Sequence, residues 1–274
     1  MTRRVDDTVL TYHGWSGFTL RYPDAPPLVI DPQADTGIPL DEDVCLVVTH
    51  GHPEHISGTA AHLRNKARSG AASVFASPGP CRHLSRRGGP RVRVHPCLPG
   101  ATHRVGDITI DVFRCRHMPL MPPEKGGTRE RLRHIVGNPA LAASIVADVI
   151  RCPLPGPTLG FRFSHPGGPA VLFYGEGLHR GAGAGKITAV GRTLPAGILI
   201  AAVEPEDAGV MPDLVAATGA AVMVPYEAHA PWRRGFGMPC ADLDALAARL
   251  ERAGRRVVRV FEGSSVRLSE PAAA

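Results

Sequence analysis

A chain of 274 residues, 43% hydrophobic and 5% aromatic, is long enough to bury a sizeable core and has too few aromatic rings for a base-stacking surface. Its formal charge of +6 suits an anionic small molecule; the arginines at 82–93, 129–133 and 249–259 have no interleaved aromatics and read as solvated surface, which disfavours a nucleic-acid partner. No apolar run approaches a membrane span, and the start, Met1-Thr2-Arg3-Arg4, lacks the apolar centre of a secretory signal, so a cytoplasmic protein without membrane contact is expected.

Val9-Leu10-Thr11-Tyr12-His13 alternates, turns at Gly14-Trp15-Ser16-Gly17 and resumes at Phe18-Thr19-Leu20. Leu28-Val29-Ile30 follows a proline-rich joint, and the three segments predict an antiparallel meander. Asp31-Pro32 ends the third strand with a side chain that can brace a neighbouring loop or simply make a turn. The apolar run Val44-Cys45-Leu46-Val47-Val48 reads as a buried strand and leads into Thr49-His50-Gly51-His52-Pro53-Glu54-His55. Imidazole and carboxylate are the side chains that bind a borderline cation such as zinc, and crowding them without one carries an uncompensated desolvation cost. Ser57 is the expected cap of a helix ending before Gly70, which puts the cluster on a strand-to-helix connection.

Residues 73–78 read as a short strand and 81–90 as an exposed turn region. Asp107-Ile108-Thr109-Ile110-Asp111-Val112-Phe113 alternates strictly and delivers His117 at its end. From about 118 to 157 prolines and glycines break the pattern, which predicts an insertion or lid that could cover a pocket or join two subunits as a homo-oligomer. A hairpin over 158–174 runs into Gly175-Glu176-Gly177. Gly181 to Gly185 reads as a loop without the flanking strand and helix of a dinucleotide site. A buried strand over 197–203 ends at Glu204, a helix is expected over 211–217, and the strand 221–225 precedes His229. The spacing of Leu243, Leu246, Ala247 and Leu250 predicts a helix from an Asp242 cap to a Gly254 stop, and 257–261 closes a sheet. Six cysteines without a Cys-x-x-Cys pair argue for free thiols.

Polar ligands thus recur at strand ends: His50, His52 and His55, then His117, Glu176 and His229. In this order, with Tyr12 and Ile30-Asp31-Pro32 ahead of them, the chain resembles the metallo-β-lactamase superfamily, and most of all its L-ascorbate-6-phosphate lactonase-like branch. The resemblance implies one domain over 1–274, an α/β (α+β) four-layer αββα sandwich. It implies that His50, His52 and His117 hold a first metal, that Glu54, His55 and His229 hold a second, and that Glu176 bridges them. One or two divalent transition-metal ions follow, with zinc the first choice and manganese or iron the others. This chain departs from the family at Glu54 and Glu176, where aspartate is usual, and at Trp15, where many relatives have histidine. Each longer acid extends its carboxylate by about 1.5 Å, which puts the filling of the second site in question.

The expected activity is hydrolysis of a small, anionic ester, lactone or phosphodiester by a metal-bound hydroxide. Glu54 and Glu176 are the candidate catalytic carboxylates, Glu54 as a ligand or else as a general base. His179, Trp232, Arg233 and Arg234 are candidate substrate contacts. The alternatives are an iron-dependent oxygen-using enzyme on the same fold and a degenerate, non-catalytic metal-binding module.

Overall fold

The computed structural model describes residues 8–33, 43–66, 71–118, 127–151 and 156–268. Two seven-stranded mixed sheets stack face to face. The first begins with the expected meander, β1 (Thr8–Gly14), β2 (Gly17–Arg21) and β3 (Leu28–Ile30). It continues in parallel through β4 (Val44–Val48), β5 (Ala72–Ala76) and β6 (Val92–Pro96). Helices α1 (Pro53–Lys66) and α2 (Pro78–Ser85) are the crossovers. In the second sheet β7 (Thr102–Val105), β8 (Ile108–Cys115), β9 (Thr158–His165) and β10 (Gly168–Gly175) are antiparallel. Between β8 and β9 lie α3 (Gly127–Gly137) and α4 (Pro139–Arg151). A 3₁₀ turn at Arg180–Ala182 and α5 (Ala184–Thr193) lead to β11 (Ile198–Ala202), and α6 (Met211–Thr218) to β12 (Val222–Tyr226). Then α7 (Ala230–Gly235) and α8 (Leu243–Arg252) precede β13 (Arg256–Val257), which extends the parallel half; β14 (Ser265–Leu268) returns to pair with β1.

The layers follow from period-two alternation on strands covered on both faces. In β4, Cys45 and Val47 enter the core between the sheets, while Val44, Leu46 and Val48 pack outward against Ile56 and Leu63 of α1. In β11, Ile198 and Ile200 face the same central core and Leu199 faces Met211, Leu214 and Leu250 of α6 and α8. Each fully buried Leu, Ile or Phe contributes roughly 1.5–3 kcal/mol. The centre is aromatic: Phe18 packs edge-on to Tyr226 at 4.9 Å and to Phe173 at 5.8 Å. Helices outside both sheets complete an αββα sandwich.

Several boundaries differ from the sequence expectation. Helix α1 starts at Pro53, not after Ser57, because proline suits the first helical turn. Glu54 and His55 are therefore helical, and only His50 and His52 precede the helix. Gly58 sits within that helix where an added Cβ would collide with the Pro32 carbonyl oxygen, so α1 packs directly on the chain leaving β3. The same proline effect makes 78–85 a helix rather than part of a turn region. The segment 118–157 contains α3 and α4; its Met-Pro and Pro-Pro pieces at 119–126 and the prolines at 153 and 155 lie outside the described residues. Gly181 to Gly185 enters a 3₁₀ turn and α5 instead of an open loop. Among the described cysteines, Cys45, Cys81, Cys97 and Cys115 are buried and Cys240 is exposed, all with free thiols. No helix among the described residues is long and apolar enough to cross a membrane.

Candidate metal centre

Strands β8, β10, β11 and β12 run in one direction and finish at the same edge as β4. His50, His117, Glu176, Glu204 and His229 all lie just past these strand ends, where open α/β sheets form their ligand crevices. Ring nitrogens converge there. His50 Nε2 is 2.9 Å from His52 Nδ1 and 3.0 Å from His117 Nε2. Glu176 stands beside them with Oε1 3.0 Å from His55 Nε2 and Oε2 3.2 Å from His117 Nε2 and 3.6 Å from His229 Nε2. Ligand atoms of His50, His52 and His117 lie within 4.8 Å of one another, as do those of His50, His55 and Glu176.

What surrounds these rings decides which nitrogen faces inward. Thr49 Oγ1 donates to Asp31 Oδ2 at 2.6 Å, so it accepts from His50 Nδ1 at 3.0 Å. His55 Nδ1 donates to the same Asp31 oxygen, Oδ2, at 2.8 Å, while Oδ1 accepts from the Thr49 backbone N–H at 2.8 Å. His117 Nδ1 donates to the Met118 carbonyl, and His229 Nδ1 donates to Glu204 Oε1 at 2.6 Å. All four rings thus commit Nδ1–H to the surrounding protein and turn Nε2 toward the centre, the arrangement by which proteins fix metal-ligating histidines. Ser16 Oγ donates to Glu176 Oε1 at 3.1 Å and accepts from the Tyr226 hydroxyl at 3.4 Å, which anchors the carboxylate from the opposite sheet. Asp31 holds its position with a left-handed backbone, φ 43°, sparsely populated for a non-glycine residue.

Protonation follows burial and charge. Burial, reinforced by the positive charge on His55, keeps His50 well below the ordinary imidazole range, and burial together with His117 lowers His52 to about 4. Burial alone would depress His55 and His229 too. The carboxylates of Asp31 and Glu176 outweigh it at His55, and those of Glu176 and Glu204 raise His229 to about 10. For Glu176 burial pushes upward, but His55 and His229 win and hold it well below the usual carboxylate range.

This donor set fits a divalent cation. His55 Nε2 and Glu176 Oε2 are fully buried and neither makes a hydrogen bond of proper geometry despite their crowded neighbours. A cation would satisfy both. Glu176 Oε1 lies nearest His55 and Oε2 nearest His117 and His229, so the carboxylate touches rings that the resemblance assigns to each of the two metals.

The remaining sequence candidates fall in varied places. Glu54 is buried outside both close groups, 3.6 Å from His52 Nδ1, and burial raises its carboxyl pKa. Trp232 stacks flat on His229, ring centroids 5.5 Å apart and planes within 4°, and meets Trp15 edge-on at 5.4 Å. Arg233 is buried, donating to Glu204, to Glu206 Oε2 at 2.8 Å and to the Pro239 carbonyl at 2.8 Å. Arg234 is exposed. His179 accepts from the Gly181 N–H at 3.1 Å and donates to the Arg116 carbonyl at 3.0 Å, so backbone groups engage both its nitrogens. Ser16 was not singled out from sequence, and Glu204 was read only as a strand end; a lone acid at the end of a buried strand was the available signal for it.

The chain matches no family model, and no curated protein sequence matches it. Its fold is shared by solved structures of low sequence identity. CmlA, a diiron β-hydroxylase from Streptomyces venezuelae, superposes with a TM-score of 0.61 at 14% identity over 96% of this chain and 54% of its own, so the present chain spans about half of CmlA. The metallo-β-lactamase fold protein YhfI from Bacillus subtilis gives 0.60 at 11% identity over 95% and 100% of the two chains. An isothiocyanate hydrolase from Delia radicum gut bacteria gives 0.56 at 13% identity over 95% and 99%. The sandwich is therefore metallo-β-lactamase-like.

Proposed function

We propose that this protein is a metal-dependent hydrolase acting on a small ester, lactone or phosphodiester. The observation that carries the reading is the convergence of four Nε2 atoms, each with its Nδ1–H engaged elsewhere, around a carboxylate that touches both sides of the cluster. His50, His52 and His117 would hold one cation. His55 and His229 would hold the other, with Glu176 between them and Glu54 at the edge. Divalent cations held there would supply a water activated at neutral pH and a Lewis acid for the scissile carbonyl or phosphoryl group. Zinc suits the imidazole-rich half, and manganese or iron the half with the carboxylate.

The protein's own side chains fix the rest. Asp31, Thr49 and Glu204 hold the imidazoles in one tautomer, and Ser16 orients Glu176. Glu54 would exchange a proton with the attacking water or leaving group, a role that its burial and raised pKa support. Beyond His117 a depression of about 560 Å³ carries Arg114, Arg116 and Lys186, which supports an anionic substituent on that side. A lactone, the substrate class that the sequence resemblance implies, is compatible with both features.

The test is metal analysis of the purified protein together with turnover of an ester, a lactone and a phosphodiester before and after chelation. About two transition-metal ions per chain and activity lost on chelation and restored by metal are expected; full activity in metal-free protein overturns the reading. CmlA's description as a diiron β-hydroxylase, with Glu176 among the imidazoles here, supports oxygen chemistry as the second reading. Iron in the purified protein with reductant-dependent oxygen consumption and no hydrolysis would favour it.

A further inference from the structure

On the far side of His229 from Glu176 the chain has a second feature that metal binding does not require. A cavity of about 180 Å³ is walled by Ile135 of α3, Ala142, Ile145 and Val146 of α4, and Trp232 and Phe236 of α7. His229, Glu204 and Arg233 complete the lining, and they are joined to one another: His229 Nδ1 donates to Glu204, and Arg233 donates to Glu204 and Glu206. The polar members therefore present a neutralised cluster, and the space is apolar. Its size is close to the roughly 150 Å³ apolar cavity that accommodates a benzene ring. Val146 is 57% exposed, so the cavity opens to solvent at α4.

We infer that this cavity receives an apolar group of the substrate, a ring or an alkyl chain of about six carbons, and that the enzyme prefers substrates carrying one. The substrate role rests on the hydrolase reading; the cavity's affinity for an apolar group does not. His229 belongs to both places: its Nε2 faces Glu176, and the ring itself lines the cavity against Trp232. A group seated against Trp232 packs against the same imidazole that borders the cluster, and that shared ring is the link between the cavity and the centre. The depression lined by Arg114, Arg116, His117 and Lys186 shares no lining residue with this cavity, so an apolar group and an anionic group would be held in separate places. Helices α3 and α4, inserted between β8 and β9, supply the walls that the sandwich alone lacks.

Binding is tested without turnover. Trp15 and Trp232 are the chain's two tryptophans, so in a Trp15→Phe background the emission reports Trp232. Titration with 1-hexanol should change that emission saturably, and Ala142→Phe, which fills the cavity, should abolish the change while Ala142→Ser preserves it. Circular dichroism confirms that each variant is folded, and Ile145→Phe provides a second filling variant if Ala142→Phe is not. Turnover is then compared between γ-butyrolactone and γ-decalactone and between ethyl acetate and ethyl hexanoate. The longer member of each turned-over pair should show a kcat/KM at least about tenfold higher, and the filling variant should remove that preference. Absence of saturable binding, or binding that survives both fillings, overturns the cavity as an apolar site. Equal kcat/KM within a turned-over pair overturns its role in substrate choice. Binding blocked by the fillings with no hydrolysis of any member removes the hydrolase reading and the substrate role, and leaves the apolar site established.

Discussion

Glu204 accepts a hydrogen bond from His229, Oε1 to Nδ1 at 2.6 Å, and its second oxygen accepts from buried Arg233. A carboxylate behind a ligating imidazole fixes the ring and raises its basicity. Glu204→Gln keeps the shape and removes the charge, and it should weaken metal binding by about 10–100-fold. Arg233 retains Glu206 and the Pro239 carbonyl, so the protein should still fold. Competition with a chelating dye measures the affinity. An unchanged affinity would mean that His229 is not a ligand or that Glu204 serves only Arg233.

Glu176→Asp tests whether the longer acid is needed. The surrounding rings stand 3.0–3.6 Å from the carboxylate oxygens as they are placed now, and aspartate withdraws them by about 1.5 Å. With metal–ligand bonds near 2.0–2.2 Å, that gap is too large to close on both sides. If the parent holds two metals per chain, the variant should retain about one, as read by mass spectrometry of protein freed of excess metal. Two tightly held metals in the variant would show that the backbone at Gly175-Glu176-Gly177 adapts freely.

Metal loading should release protons in a characteristic number. At pH 8 the metal-free protein carries protons on His55, held well above its usual range, and on His229, raised to about 10. His50 and His52 lie low and are already neutral. Filling the His55–His229 side should therefore release about two protons that binding to His50 and His52 does not. An indicator in weak buffer during metal titration counts them, and release below one proton at full loading would refute these charge states. Without metal, the His229 contribution to stability is full below the unfolded imidazole value and is lost as pH rises through about 10. The Glu176 contribution is present above its unfolded value of 4.5 and is lost as pH falls through its depressed folded value. Denaturant midpoints of metal-free protein across pH should accordingly fall at both ends.

Much of the candidate ligand cluster is legible in the sequence because it is local. His50, His52 and His55 fall within one short stretch after an uninterrupted apolar strand, and His117, Glu176 and His229 each follow strands whose alternation or apolar run is plain. The supporting contacts were harder to read because they join distant positions. Ser16 meets Glu176 across 160 residues and nothing in its own turn announces that. Helices α2 and α5 were hidden by Pro78-Gly79-Pro80 and by the glycines around 181–185, where breakers stand at helix starts rather than in helix interiors. The pair α3 and α4 lay inside a segment judged by its flanking prolines. Arg233, expected on sequence grounds near an anionic substrate, is tied to two carboxylates because the acids that reach it come from the end of β11.

Asp31 makes the last prediction, because one side chain there both holds the cluster and bears backbone strain. Its carboxylate accepts from Thr49 N–H, Thr49 Oγ1 and His55 Nδ1 while its backbone sits at a left-handed φ of 43°. Asp31→Asn preserves the size and tolerates that φ but loses the charge facing His55, so metal-free protein should lose about 1–3 kcal/mol of stability. Asp31→Gly relieves the backbone, worth about 1–2 kcal/mol for a left-handed residue, yet strands all three donors. If orientation of His50 and His55 is the dominant role, both variants should bind metal more weakly, Gly more than Asn, despite the relieved strain. Paired denaturation and metal-affinity measurements separate the effects, and a glycine variant that is more stable and binds metal as tightly as the parent would show that the strain at Asp31 serves no purpose at the centre.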